Sequence, residues 1–222
     1  MDLATLIDTP IQFSNSINLI LLLSLMSFVP FFLISVTSFL RITIVFGLLR
    51  SAMGTQQSPP NMVIVAIALF MTIFVMSPVW NDINENALTP YVQGEITQNQ
   101  AIAIGIQPLR EFMFKQVNEN DLALFSQFAD LDLEKIDSKD DIPIFVLIPA
   151  FMMSELKTAF TIAFIIFLPF ILVDLLIANI LLSLGMMMLS PVMISLPFKI
   201  LLFVLVDGFN LIAKGLMQSY IG

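Results

Sequence analysis

Two residue types are missing altogether: the chain has no cysteine and no histidine. Without cysteine there are no disulfides and no thiolate metal sites, and cysteine usage says nothing about the redox compartment. Without histidine the commonest metal ligand and the usual neutral-pH general base are both absent. Charge is scarce too, at 12% of 222 residues, against about 25% in a soluble domain. There is no phosphate-binding glycine loop and no pair of acids in a soluble pocket, so the pattern argues against an enzyme and no cofactor or metal is expected. No basic patch is available for nucleic acid. Residues 1–16 lack the positive stretch of a signal peptide. Two readings of that start stay open: a mature chain behind an added methionine, or insertion without a cleaved leader.

What the chain has instead is apolar length. Hydrophobic residues make up 58%, with 21 phenylalanines, and several runs exceed the ~20 residues needed to cross a bilayer. This is the composition of an integral membrane protein. The net charge of −8 is unevenly placed. Between Asn81 and Asp141 stand twelve acids and four bases (Arg110, Lys115, Lys135, Lys139). Outside that stretch five acids (Asp2, Asp8, Glu155, Asp174, Asp207) balance five bases (Arg41, Arg50, Lys157, Lys199, Lys214). The chain therefore reads as an acidic insert set into an electroneutral membrane body.

Taken in order, Ile17–Phe46 is the first apolar run, with Pro30 inside it and Arg41 near its end. At helical rise it would reach ~45 Å, longer than a ~30 Å hydrocarbon core, so a kink at Pro30, a tilt or burial in protein must absorb the excess. Arg41 is expected to snorkel or to pair within an assembly, because an arginine facing lipid is costly. Residues 48–61 carry Arg50, Gly54 and Ser58-Pro-Pro, the ingredients of a helix end at Gly54 and a new start after the prolines. Met62–Trp80 reads as a second span of conventional length ending at Pro78. In the insert, Pro108 is expected to open one helix and Asn120 or Asp121 to cap another, with residues 130–141 a solvated linker.

The C-terminal third, from Ile142 on, is mostly apolar. Glu155 and Lys157 sit at i and i+2, do not face each other on a helix, and each needs a partner on another helix or subunit. Gly185, Pro191 and Pro197 bound an uncharged loop, 185–197, that holds Met186, Met187 and Met188. Irregular backbone at membrane depth is tolerated only beside protein or a water-filled cavity, and methionine packs adaptably there. Residue chemistry alone leaves lipid-facing filler equally open. If the loop joins an antiparallel hairpin, Asp174 and Asp207 lie at similar depth and cannot both be charged without a cation or a nearby Lys or Arg. The fold expected is all-α. Its parts are an N-terminal helical hairpin (1–80), an acidic, mostly helical insert (81–141) and a C-terminal helical hairpin (142–222). Four spans place the insert outside the cytoplasm, a reading that Arg50 and Lys199 near the cytoplasmic connections favour weakly.

At this point six motifs become specific: Ser38-Phe-Leu-Arg-Ile-Thr-Ile-Val, Gly54-Thr-Gln-Gln-Ser-Pro-Pro-Asn61, Leu147-Ile-Pro-Ala-Phe, Ser154-Glu-Leu-Lys-Thr-Ala-Phe160, Leu168-Pro-Phe with Asp174, and Gly185-Met-Met-Met followed by Met193-Ile-Ser-Leu-Pro-Phe-Lys199. Together they closely resemble the FliP family, flagellar export-gate proteins whose injectisome counterpart is SctR. The resemblance runs from Ser35 to Gly215 apart from parts of the insert. It implies a core subunit of the type III export gate in the bacterial inner membrane, at the flagellar basal body. It also implies assembly with further copies of itself, with FliQ and FliR and with other export-apparatus membrane proteins, among membrane lipid. Unfolded flagellar subunits would pass through the centre. Met186 to Met188 match the family's gasket around the closed pore, which tips the methionines from filler to gate. The alternatives are the equivalent injectisome subunit and an ion-coupled secondary transporter using Glu155, Lys157, Asp174 and Asp207.

Overall fold

The computed structural model describes residues 10–55, 58–131, 141–186 and 188–221. Met187, Asp2, Asp8, the two glutamines of the 54–61 motif and most of the expected 130–141 linker, with Lys135 and Lys139, lie outside them. Every regular element among the described residues is helical, and no strand occurs.

The first apolar run divides into α1 (Pro10–Val36) and α2 (Phe39–Met53), which meet at 76°. The turn falls at Thr37–Ser38, and Pro30 stays inside α1. The Thr37 hydroxyl explains the placement. Thr37 Oγ1 donates back to the Leu33 carbonyl and accepts from the Phe39 N–H (3.3 Å), replacing backbone bonds by side-chain ones. At the other end of α2, Gly54 takes the left-handed conformation expected of it (φ +78°) and its N–H reaches the Ser51 carbonyl.

The expected span Met62–Trp80 is likewise two pieces, α3 (Asn61–Val75) and α4 (Ser77–Ile83), with a break at Met76; the bend between α3 and the segment Ser77–Val92 is 54°. Pro78 lies in the first turn of α4, where its missing donor is harmless, but it removes the bond that would have carried α3 onward. A π-helical turn, Asn84–Leu88, leads into the short α5 (Thr89–Val92).

Two helix starts in the insert differ from expectation. Helix α6 spans Gln98–Gln116 and runs through Pro108. Its start is set by Thr97 and Gln100, whose side chain accepts from the Thr97 N–H at 2.9 Å, a capping-box signal that outweighs the proline. Helix α7 (Glu119–Phe128) is capped by Asn118, which accepts from the Asn120 N–H at 3.0 Å, rather than by Asn120 or Asp121. That leaves Asp121 free to face inward.

The C-terminal third is a hairpin with unequal legs. One leg is α8 (Ile144–Ser183), a 40-residue helix that continues through Pro149 and Pro169. The other is α9 (Pro191–Leu205) followed by α10 (Gly208–Ile221), bent by 61° at Val206–Asp207. Gly185 (φ +74°) closes α8, with its N–H on the Leu182 carbonyl and the Met186 N–H on Leu181. Pro191 opens α9 and Pro197 lies within it, so the irregular stretch is shorter than 185–197. Only α8 is long and apolar enough alone to cross a membrane among the described residues. Each of the three bent pairs qualifies if counted as one broken span, which makes four by length and composition.

Two apolar clusters hold these helices together. One joins Ile42, Val45, Phe46 and Leu49 of α2 to Ile64, Ala68, Ala159, Phe170 and Phe203. The other gathers Val36, Val75, Met76 and Val79, at the first two elbows, around Phe112 and Met113 of α6 and Leu147 and Phe151 of α8. The chain exposes 15122 Å² of surface, where a compact globular chain of 24.8 kDa would expose about 10,000 Å². Most of the most apolar stretch of α8 is bare. Such faces need lipid or protein against them.

Candidate functional site

Helix α8 carries three charged side chains, Glu155, Lys157 and Asp174, and each takes a partner from another helix. Glu155 is fully buried halfway along the bundle, and its partner is Arg41, one turn beyond the α1–α2 elbow. Arg41 Nε donates to Glu155 Oε2 at 3.0 Å and Nη2 donates to the other carboxylate oxygen, a forked pairing. The remaining guanidinium donors reach Gln116 Oε1 (3.1 Å) and Ser219 Oγ (2.9 Å). Arg41 also stacks over the Tyr220 ring at 4.0 Å, and the Tyr220 hydroxyl donates to Glu155 Oε2. Phe112 stacks against the same ring at 5.9 Å. One node around the buried Arg41–Glu155 pair thus ties α2, α6, α8 and α10. Of the two fates expected for Arg41, it pairs rather than snorkels, and its partner is in the same chain.

Lys157, two residues on, points elsewhere, as the helical period requires. It donates to Asp121 of α7, which is buried while the lysine side chain stays 61% exposed. Ser154 Oγ donates to the second oxygen of Asp121 at 2.8 Å and accepts from the Asn118 N–H at 2.9 Å. Burial pushes the Asp121 carboxyl up, but the hydrogen bonds from Lys157 and Ser154 and the Lys157 charge outweigh it and hold the group below the usual aspartate value. The acidic insert is fastened to α8 by this clasp.

Farther along the hairpin, Asp174 receives Lys199 Nζ at 2.6 Å and the Ser195 hydroxyl. Lys199 is buried and also donates to the Ala52 carbonyl at 3.3 Å, at the C-terminal, negative end of α2. The nearby cation expected for the Asp174 carboxylate is therefore Lys199. Asp207 stands apart from that cluster. It is exposed, sits in the left-handed region (φ +50°) at the α9–α10 elbow, and accepts from Asn210 Nδ2. Arg50 serves the α2–α3 connection, donating to the Pro59 carbonyl (3.3 Å) and Asn61 Oδ1 (2.6 Å).

At the tip of the hairpin Met188 is 100% exposed and Met186 46% exposed. No group of metal-ligating side chains occurs among the described residues. The partners that reading the sequence did not single out are Gln116, Asp121, Ser154, Ser195, Ser219 and Tyr220. Tyr220 alone carried a usable signal: a tyrosine buried in an apolar setting needs a partner for its hydroxyl.

A helical chain with, among its described residues, one long apolar helix, three broken apolar pairs and the charges Arg41, Glu155, Asp174 and Lys199 paired across helices is an integral membrane protein of the all-α class. The sequence pattern that defines the FliP family matches residues 22–216, and the chain belongs to that family. Flagellar biosynthetic protein FliP of Bacillus subtilis (strain 168) is 49% identical over 211 residues, 95% of each chain. The protein of that name from Pectobacterium carotovorum is 48% identical over 205 residues, covering 92% of this chain and 79% of the relative. The one from Aquifex aeolicus is 45% identical over 206 residues, 93% and 86%.

Proposed function

We propose that the chain is a core subunit of the flagellar type III export apparatus, a transport component and not an enzyme. With further copies of itself and with FliQ and FliR it forms the closed pore through which unfolded flagellar subunits cross the bacterial inner membrane at the basal body. The observation that carries this reading is the exposure of Met186 and Met188 between Gly185 and Pro191, at the tip of a hairpin whose legs are tied by Lys199 to Asp174 and by Tyr220 to Glu155. Methionine suits a seal that closes without strict geometry and yields to varied chains. The large bare apolar surface supports burial in an assembly and in lipid. The insert 81–141 then forms the extracytoplasmic part between the hairpins 1–80 and 142–222.

An ion-coupled transporter would need carboxylates free to take up and release a cation. Glu155 and Asp174 are each held by a basic side chain instead. The deciding experiment replaces Met186, Met187 and Met188 together by alanine and measures ion conductance in cells and the yield of assembled complex. A leaky membrane with normal assembly is the expected outcome. An intact barrier around a normally assembled complex returns the methionines to filler.

A further inference from the structure

We propose that Tyr220 is a positioning residue for the methionine turn: it ties the far end of the α9–α10 leg to the α8 leg and so sets the register of the hairpin, while Ser219 beside it holds Arg41 of α2. This rests on the gate reading of the turn.

The two legs differ in stiffness. From Glu155 to Gly185 the chain is helical for about thirty residues, ~45 Å at 1.5 Å each. From Pro191 to Tyr220 it covers nearly the same number of residues, but with a 61° elbow at Val206–Asp207. The elbow is tightly built. Asp207 adopts φ +50°, and a Cβ on Gly208 would lie 2.2 Å from the Phe203 ring.

Two ties cross between the legs. The upper one joins Asp174 to Ser195 and Lys199, close to the tip. The lower one joins Glu155 to Tyr220, with Ser219 bound to Arg41 beside it. The tie near the tip fixes α9 alone; the second adds a directional hold on α10 to the apolar packing of Leu216. The identity of Tyr220's acceptor matters here. The Ser38 carbonyl, 3.4 Å from its hydroxyl, would satisfy a buried phenol, but it lies on the α1–α2 elbow. Glu155 lies on the opposite leg of the hairpin, so of Tyr220's two acceptors only Glu155 couples the legs to each other.

The hydroxyl can be removed with little else. Tyr220→Phe keeps the ring under Arg41 and against Phe112. Because the chain has no cysteine, Met188→Cys introduces a single thiol at the tip. The experiment uses the full complex in cells. It compares Tyr220 with Tyr220→Phe for the labelling rate of that thiol by a membrane-impermeant maleimide, and for ion conductance per assembled complex with the methionines intact. Assembly yield is expected to hold. Labelling should rise roughly tenfold, the scale of one hydrogen bond to a charged group, and conductance should rise toward, without reaching, that of the triple-alanine variant. Ser219→Ala should move both readouts the same way and less far. If labelling and conductance per complex stay at wild-type values, whether yield holds or drops, Tyr220 is a core filler and the proposal fails. If the triple-alanine variant itself does not leak, the gate reading falls. A labelling shift in Tyr220→Phe would still support register control of the turn.

Discussion

The two ends of the α8–α10 hairpin are built on opposite terms. At its base, the buried pair Arg41 and Glu155 interlocks through directional bonds with Gln116, Ser219 and Tyr220 around it. At its tip, Met186 and Met188 stand in the open on a turn closed by a left-handed glycine. The base specifies one arrangement because forked and charged bonds fail when geometry drifts. The tip tolerates many arrangements because thioether packing has little directional demand. A protein that must hold its frame while its seal gives way needs that division.

The comparison breaks most visibly at the base. Arg41→Ala or Glu155→Ala leaves the other charge buried and unpaired, at about 3–5 kcal/mol. Native mass spectrometry of solubilised membranes should then find little assembled complex. Normal yield with lost export would instead point to an ion relay through Glu155.

Lys157 tests the clasp on the insert. Because its ammonium is mostly exposed, Lys157→Ala should cost only about 1–2 kcal/mol, chiefly through the bond Asp121 loses. Assembly should weaken before transport does. The clasp also carries a pH signature. Asp121 has a lower pKa folded than unfolded, so its stabilisation is complete above the unfolded aspartate value of about 3.9 and fades as pH falls through the folded one. Hydrogen exchange of the α7 amides should accelerate on acidification through that window, and Asp121→Asn should flatten the response. An unchanged pH profile in that variant would assign the response to other carboxylates.

A smaller effect is expected at Gly54, beside the start of α9. A Cβ there would meet Leu196 Cδ1 at 3.5 Å, an ordinary contact, so the cost of Gly54→Ala comes from φ +78° alone. About 1 kcal/mol is expected, seen as a modest fall in the thermal midpoint of the purified complex. The smallest effect belongs to the tip. Replacing Met186 and Met188 should change the stability of the complex by less than about 0.5 kcal/mol, since exposed side chains contribute little to folding. A large loss of thermal stability would mean that the tip is packed as firmly as the base.

Helix content was legible because period-two alternation is nowhere sustained and the apolar runs are long. The stop at Gly54 and the turn at Gly185 were legible because a left-handed glycine is a local device. The prolines misled in both directions. Pro108 and Pro197 lie inside helices, while the sharpest elbow belongs to Thr37–Ser38, where the Thr37 hydroxyl competes for backbone bonds. Proline marks where one hydrogen bond is lost, and whether the helix continues depends on what packs around it.

The charges divide along the same line. Sequence spacing alone determined that Glu155 and Lys157 cannot pair with each other, since residues two apart point to different sides of a helix. Composition and hydropathy determined the membrane class, and the six motifs determined the family. Which partner each charge takes was decided only by the tertiary structure. Arg41 meets Glu155 across 114 residues and Ser219 across 178, and those encounters depend on helix rotation, elbow angle and register. Such quantities emerge when apolar faces from distant segments are packed together, and no local stretch of chain encodes them.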